Sequence, residues 1–220
     1  MDRSNKRRRP ANVDAGRDAV TVATVGILLY ADVEVLDCCG PFEVFATATR
    51  VALRRGFAAP PFQVHTIAAG AQPVVARGGL RLVPSCTFEE HPPLDILIVP
   101  GGLTQESERD DRLISWVSTA AENAALTASV CTGAFLLATA GLLDGRHATS
   151  HWEDVDDLER RFPRVRVKRH VRWVDEGRVV TSAGISAGID MSLHLVRRQE
   201  GEVLAKATAH QMEYEWRSGD

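Results

Sequence analysis

The chain has 220 residues, 45% of them hydrophobic, enough for one full-sized core and cramped for two independent ones. Its 26 Lys and Arg stand against 29 Asp and Glu, a formal net charge of -3, which offers no basic face for nucleic acid. The cysteines, at 38, 39, 86 and 131, follow neither a disulfide-framework spacing nor a zinc spacing, so reduced thiols in a cytoplasm are expected.

The chain opens on a basic run, NKRRRP, followed by an apolar one, VTVATVGILLY, in the order of a secretory signal. Asp14, Arg17 and Asp18 lie between the two, and no small-x-small cleavage site follows. The apolar run therefore reads as a first buried strand. A disordered basic arm is expected over 1–18, a single α/β domain over 19–216 and a flexible tail over 217–220. No stretch reaches the roughly 18 apolar residues of a membrane span.

TVATVGILL (21–29), FQVHTIAA (62–69), DILIVP (95–100) and LTASV (126–130) lack strict alternation, as strands covered on both faces do. Helical spacing alternates with them. After Asp37, which stands where a cap would, Phe42, Phe45, Thr49 and Leu53 recur at steps of three and four, with Pro41 in a first turn. Residues 111–123 set Leu113, Trp116, Val117 and Ala120 on one stripe, and 132–143 is apolar nearly all round, as a central buried helix is. Hairpins are expected over 73–83, around Gly78-Gly79, and over 170–184, around Asp175-Glu176-Gly177. Two helical segments parted near Gly201 close the chain. The pattern predicts an α/β fold, a mostly parallel sheet with helices on both faces.

Cys131 follows a buried strand and precedes a helix, so it reads either as a nucleophile on a strand-to-helix elbow or as a small residue filling the bend. A helix start carries partial positive charge, which favours thiolate. Ligands of open α/β sheets collect beyond the carboxyl ends of strands, where Asp37, Gly101, Gly102 and Cys131 would converge. Asp37 reads as a helix cap or, facing the sulfur, as an acid of raised pKa that donates and withdraws a proton. Gly101 and Gly102 read as a plain turn or as backbone amides near a substrate.

LDCCGPFEVFA, DILIVPGG, ASVCTGAFLLATAGLLDGRHATSHW and GRVVTSAGISAGIDMSLHLV, in this order over roughly 21–215, resemble the ThiJ/PfpI superfamily. The match is nearest its isonitrile hydratase branch and the N-terminal domains of AraC-type regulators. The resemblance implies a flavodoxin-like three-layer sandwich with a cysteine nucleophile elbow, no cofactor or metal, a small-molecule substrate and a homodimer. It assigns Cys131 as nucleophile and Asp37 as its acid, where protease-like and deglycase-like relatives carry Glu. Thr132 stands where protease-like members place His, which argues against peptide hydrolysis, and would hold Asp37 and a water in line. Gly101, Gly102, Gly184, Ile185 and Ser186 would line the pocket. His151 and Trp152 match a segment near the site, although His151 also reads as a satisfied strand-end histidine. Cys38 and Cys39 depart from the family pattern; they read as packing residues, a vicinal disulfide being strained, and Cys86 reads as core.

The implied reaction adds water to R–N≡C, giving an N-substituted formamide through a Cys131 thioimidate. A non-catalytic ligand-sensing domain is the alternative. With about 30 residues after Ala187, against about 100 for a module of two helix-turn-helix units, direct DNA binding is not expected. Cysteine chemistry on reactive carbonyls, which usually pairs Glu with the thiol, is a third reading.

Overall fold

The computed structural model describes residues 22–219; the arm expected over 1–18 lies outside them. In chain order the elements are β1 (Ala23–Leu28), α1 (Val35–Arg54), β2 (Phe62–Ala68), β3 (Val74–Val75), β4 (Arg81–Leu82), β5 (Cys86–Thr87) and β6 (Ile96–Val99). They continue with α2 (Asp111–Asn123), β7 (Leu126–Val130), α3 (Gly133–Thr139), β8 (His147–Ala148), α4 (Val155–Arg161) and β9 (Arg166–Val167). β10 (Trp173–Asp175), β11 (Val179–Ser182), α5 (Ala187–Glu200) and α6 (Glu202–Gln211) complete the chain.

Seven strands form one sheet in the order β10-β11-β7-β6-β1-β2-β5. Every pair in it is parallel except β10 with β11. Helices α1, α5 and α6 pack together on one side, and α2 and α3 on the other. Strands β1, β6 and β7 are therefore covered on both faces, and Ile27, Leu28, Ile96, Leu97 and Ile98 are fully buried among them. Helix α2 starts on Asp110, whose carboxylate accepts the amides of Arg112 (3.0 Å) and Leu113 (3.2 Å), a cap worth about 1 kcal/mol. Its stripe of Leu113, Trp116, Val117 and Ala120 is buried as expected. The connections from β1 and from β6 leave in opposite directions along the sheet, which opens a crevice between their carboxyl ends.

Several local expectations are corrected. Strand β2 is only half-buried at Val64, His65 and Thr66, because beyond it lies only the two-residue β5. Helix α1 begins at Val35, so Asp37 sits inside its first turn and caps nothing; Glu34 holds the cap position without a side-chain bond. That earlier start puts Pro41 in the second turn and rotates the buried stripe. Phe42 and Leu53 are exposed, while Cys38, Pro41, Val44, Phe45, Ala48, Val51 and Ala52 face the core. Hairpin β3–β4 stands apart from the main sheet, whereas in β10–β11 the second strand also pairs with β7. Cys86 is half-buried rather than core, with Sγ 3.5 Å from His65 Nδ1.

Candidate active site

Cys131 and Thr132 form the turn between β7 and α3. The φ of Cys131 is 56°, a left-handed conformation that costs a non-glycine residue about 1–3 kcal/mol. The surroundings enforce it. The Cys131 amide donates to Ser182 O at 3.2 Å, and the buried Ser150 hydroxyl donates to Cys131 O at 2.9 Å. Gly133 packs so closely under β6 that a Cβ there would overlap Val99 O. The side chain is thus aimed into the crevice, and the residue keeps 7% of its surface exposed.

Asp37 is fully buried in the same crevice. Its Oδ2 accepts the Gly101 amide at 3.1 Å, while Oδ1 has no hydrogen bond of standard geometry. Burial pushes its carboxyl up to about 7; the Gly101 amide, the Cys131 thiol and the Ile185 amide pull down, and the Glu34 charge pushes up. The neighbouring thiol also moves upward, contrary to the expectation from the helix start. Burial first and the Asp37 charge second push Cys131 up to about 12, against the Thr132 amide, which favours thiolate. Desolvation and a facing anion outweigh the partial charge of a seven-residue helix.

Thr132 does not hold Asp37 through its hydroxyl. Its Oγ1 accepts the Gly102 amide and donates to Gly102 O, both at 2.9 Å. The amides of Gly101 and Gly102 are therefore both occupied by side chains of this chain, so the expected role as free donors to a substrate does not hold. The diglycine is dictated by space: a Cβ on Gly101 would lie 2.6 Å from Thr132 N, and one on Gly102, at φ 147°, would overlap Asp32 O.

His151 and Gly184 are in contact, since a Cβ on Gly184 would overlap the imidazole. His151 Nδ1 lies 3.3 Å from Asp154 Oδ2, and Asp154 acts on Cys131 through its charge. Trp152 is 74% exposed. Ile185 stands in a left-handed conformation, φ 52°, and Ser186 leads into α5. Tyr30, at the end of β1, had no motif to mark it. It is buried, donates to Pro100 O at 3.0 Å, and is raised well above the ordinary phenol range by burial and then by the Asp37 charge. Its place at a strand end beside the crevice is the signal that identifies it. Cys38 and Cys39 are free thiols with sulfurs 3.9 Å apart.

Fold and site define a flavodoxin-like α/β protein with a cysteine on a strand-to-helix elbow facing a buried acid. The chain belongs to the DJ-1/PfpI family, whose pattern matches residues 23–198. It is 36% identical over 191 residues to the isonitrile hydratase of Pseudomonas putida, covering 86% of this chain and 78% of that one. It is 29% identical over 192 residues to the HTH-type transcriptional regulator GbdR of Pseudomonas aeruginosa, covering 87% of this chain and 51% of the regulator. The chain thus spans about half of that regulator's length. Among solved structures, a ThiJ/PfpI family protein from Pseudomonas syringae superposes with a TM-score of 0.78 at 28% identity, over 89% of this chain and 76% of that one. Among the described residues, no helix is long and apolar enough to cross a membrane.

Proposed function

We propose that this chain is an isonitrile hydratase-like lyase, converting R–N≡C to an N-substituted formamide with Cys131 as nucleophile and Asp37 as proton carrier. The observation that carries the reading is a fully buried carboxyl, Asp37, in the same crevice as the left-handed elbow thiol Cys131, with burial raising its pKa to about 7. Near pH 7 the pair loses one proton and becomes a single anion, with the remaining proton mainly on sulfur. As Sγ bonds the terminal carbon, that proton passes through Asp37 to the same carbon, giving a thioimidate, R–N=CH–S. Ionised Asp37 then takes a proton from water as its oxygen adds to the carbon, and returns it to nitrogen. Collapse breaks the C–S bond, releases R–NH–CHO and hands the hydroxyl proton back to sulfur. The occupied diglycine amides support this addition over peptide hydrolysis, which builds charge on an oxyanion that needs free donors. His151, packed on Gly184, would border the substrate's R group together with Ile185 and Ser186, with Trp152 next to them. Thr132 would act by locking the Gly102 loop.

A homodimer belongs to the proposal: Leu36, Leu103, Trp152 and Ile185, each beside a site residue in sequence, expose apolar surface that a second copy would cover. Free cysteines fit a cytoplasmic setting. Likeness to regulators supports one rival, a ligand-sensing domain without turnover. Incubating the protein with a simple isonitrile and following formamide by NMR separates the two. Activity lost in Cys131→Ala and Asp37→Asn supports the lyase. Binding without formamide establishes the sensor, and activity retained in Cys131→Ala removes the mechanism.

A further inference from the structure

Strands β1 and β6 run parallel and side by side, with Ile27 opposite Ile98. Tyr30 and Pro100, which follow them, therefore emerge together beyond the carboxyl ends. Tyr30 is buried, and its hydroxyl donates to Pro100 O at 3.0 Å. One atom pair further along, the Gly101 amide donates to Asp37 Oδ2 at 3.1 Å.

The two bonds share a single peptide group. Pro100 O and the Gly101 N–H belong to one trans peptide, so they point in opposite directions within one plane. A donor on the carbonyl fixes the tilt of that plane and draws electron density from the nitrogen, which strengthens the N–H as a donor. The next peptide is held as well, since Gly101 O accepts the Glu34 amide at 2.8 Å. Asp37 is thus gripped at one oxygen. The other, Oδ1, is buried without a partner among the described residues.

We propose that Tyr30 is a positioning residue: through the peptide between Pro100 and Gly101, its hydroxyl aims the amide that anchors Asp37 Oδ2 and leaves Oδ1 as the oxygen that exchanges protons. Its catalytic meaning rests on Asp37 being the proton carrier of the hydration reaction. Burial, and then the Asp37 charge, hold Tyr30 well above the ordinary phenol range, so its hydroxyl remains a donor where Asp37 titrates. The other titratable groups facing Asp37 are Cys131 on the elbow and Glu34 before α1, which is ion-paired at 3.5 Å with Arg77 of the β3–β4 hairpin.

Tyr30→Phe removes the hydroxyl and keeps the ring. Carbon-13 NMR of aspartate carboxyls, with Asp37 assigned by its loss in Asp37→Asn, reads the midpoint without turnover. The Gly101 bond favours the ionised carboxylate, so weakening it should raise the Asp37 midpoint by about half a pH unit. Tyr214→Phe strips the chain's other tyrosine of a hydroxyl, one that donates to Ser186 O at 3.3 Å, and should leave the midpoint in place. An unmoved midpoint in Tyr30→Phe, or an equal shift in Tyr214→Phe, overturns the role. In the wild type, the Gly101 amide proton should move downfield through the Asp37 midpoint; a flat response overturns the role even where the variant does not fold. The pH at which formamide formation switches on should rise with the midpoint, and a profile that stays put overturns the catalytic meaning. Absence of formamide in the wild type refutes the lyase and leaves the NMR test of Tyr30 decisive.

Discussion

Cys131 and Cys86 are both thiols beside an ionisable side chain, one at the centre of the sheet and one at its edge. Cys131 ends a strand covered on both faces, stands in a left-handed conformation and looks at an acid with no exposed surface. Cys86 lies in a two-residue edge strand, half-buried, against an imidazole whose Nε2 is buried without a partner among the described residues. The difference follows from topology. At the centre, crossovers depart in opposite directions and leave a crevice that three strand ends share. At the edge, β2 and β5 end side by side, but the chain passes on without a helix start or a left-handed residue beside the thiol.

Replacing each thiol tests this contrast most sharply. Cys131→Ala should lower formamide formation by at least about a thousandfold, and Cys86→Ala by less than about twofold, measured as initial rates under one condition. The buried acid gives the next largest effect, on stability. Its folded pKa of about 7 exceeds the unfolded value of about 3.9, so its contribution is fully present below about pH 4 and is lost as pH rises through 7. Asp37→Asn should remove this slope, gaining up to roughly 4 kcal/mol at pH 8 relative to pH 4 in urea titrations. Glycines give the smallest contrast. Gly133→Ala, forced against Val99 O, should cost about 2–4 kcal/mol, and Gly70→Ala, with open space after β2, should stay within about 0.5 kcal/mol.

Much of this centre was legible in the sequence. Buried parallel strands announce themselves as short apolar runs, and Gly201 and the Asp175-Glu176-Gly177 turn mark real boundaries. The convergence of Asp37, Gly101, Gly102 and Cys131 followed from the strand-end rule. What escaped depended on contacts no local pattern encodes. Asp37 looked like a cap because the cap residue three positions earlier, Glu34, makes no capping side-chain bond. Thr132 is captured by a glycine 30 residues away, and the thiol is raised because burial and Asp37, both tertiary facts, outweigh the helix start. Buried Asp190 gathers Arg172 and the Arg217 amide, a grouping invisible until the chain is folded.

Pro41 sits four residues after Asp37 within α1. Proline has no amide hydrogen, so the Asp37 carbonyl misses its rung of the helical ladder. The turn bearing the acid is therefore joined to the long remainder of α1 across a seam. The acid thus rides on a first turn tied to the rest of α1 by one backbone bond fewer than an unbroken helix would have.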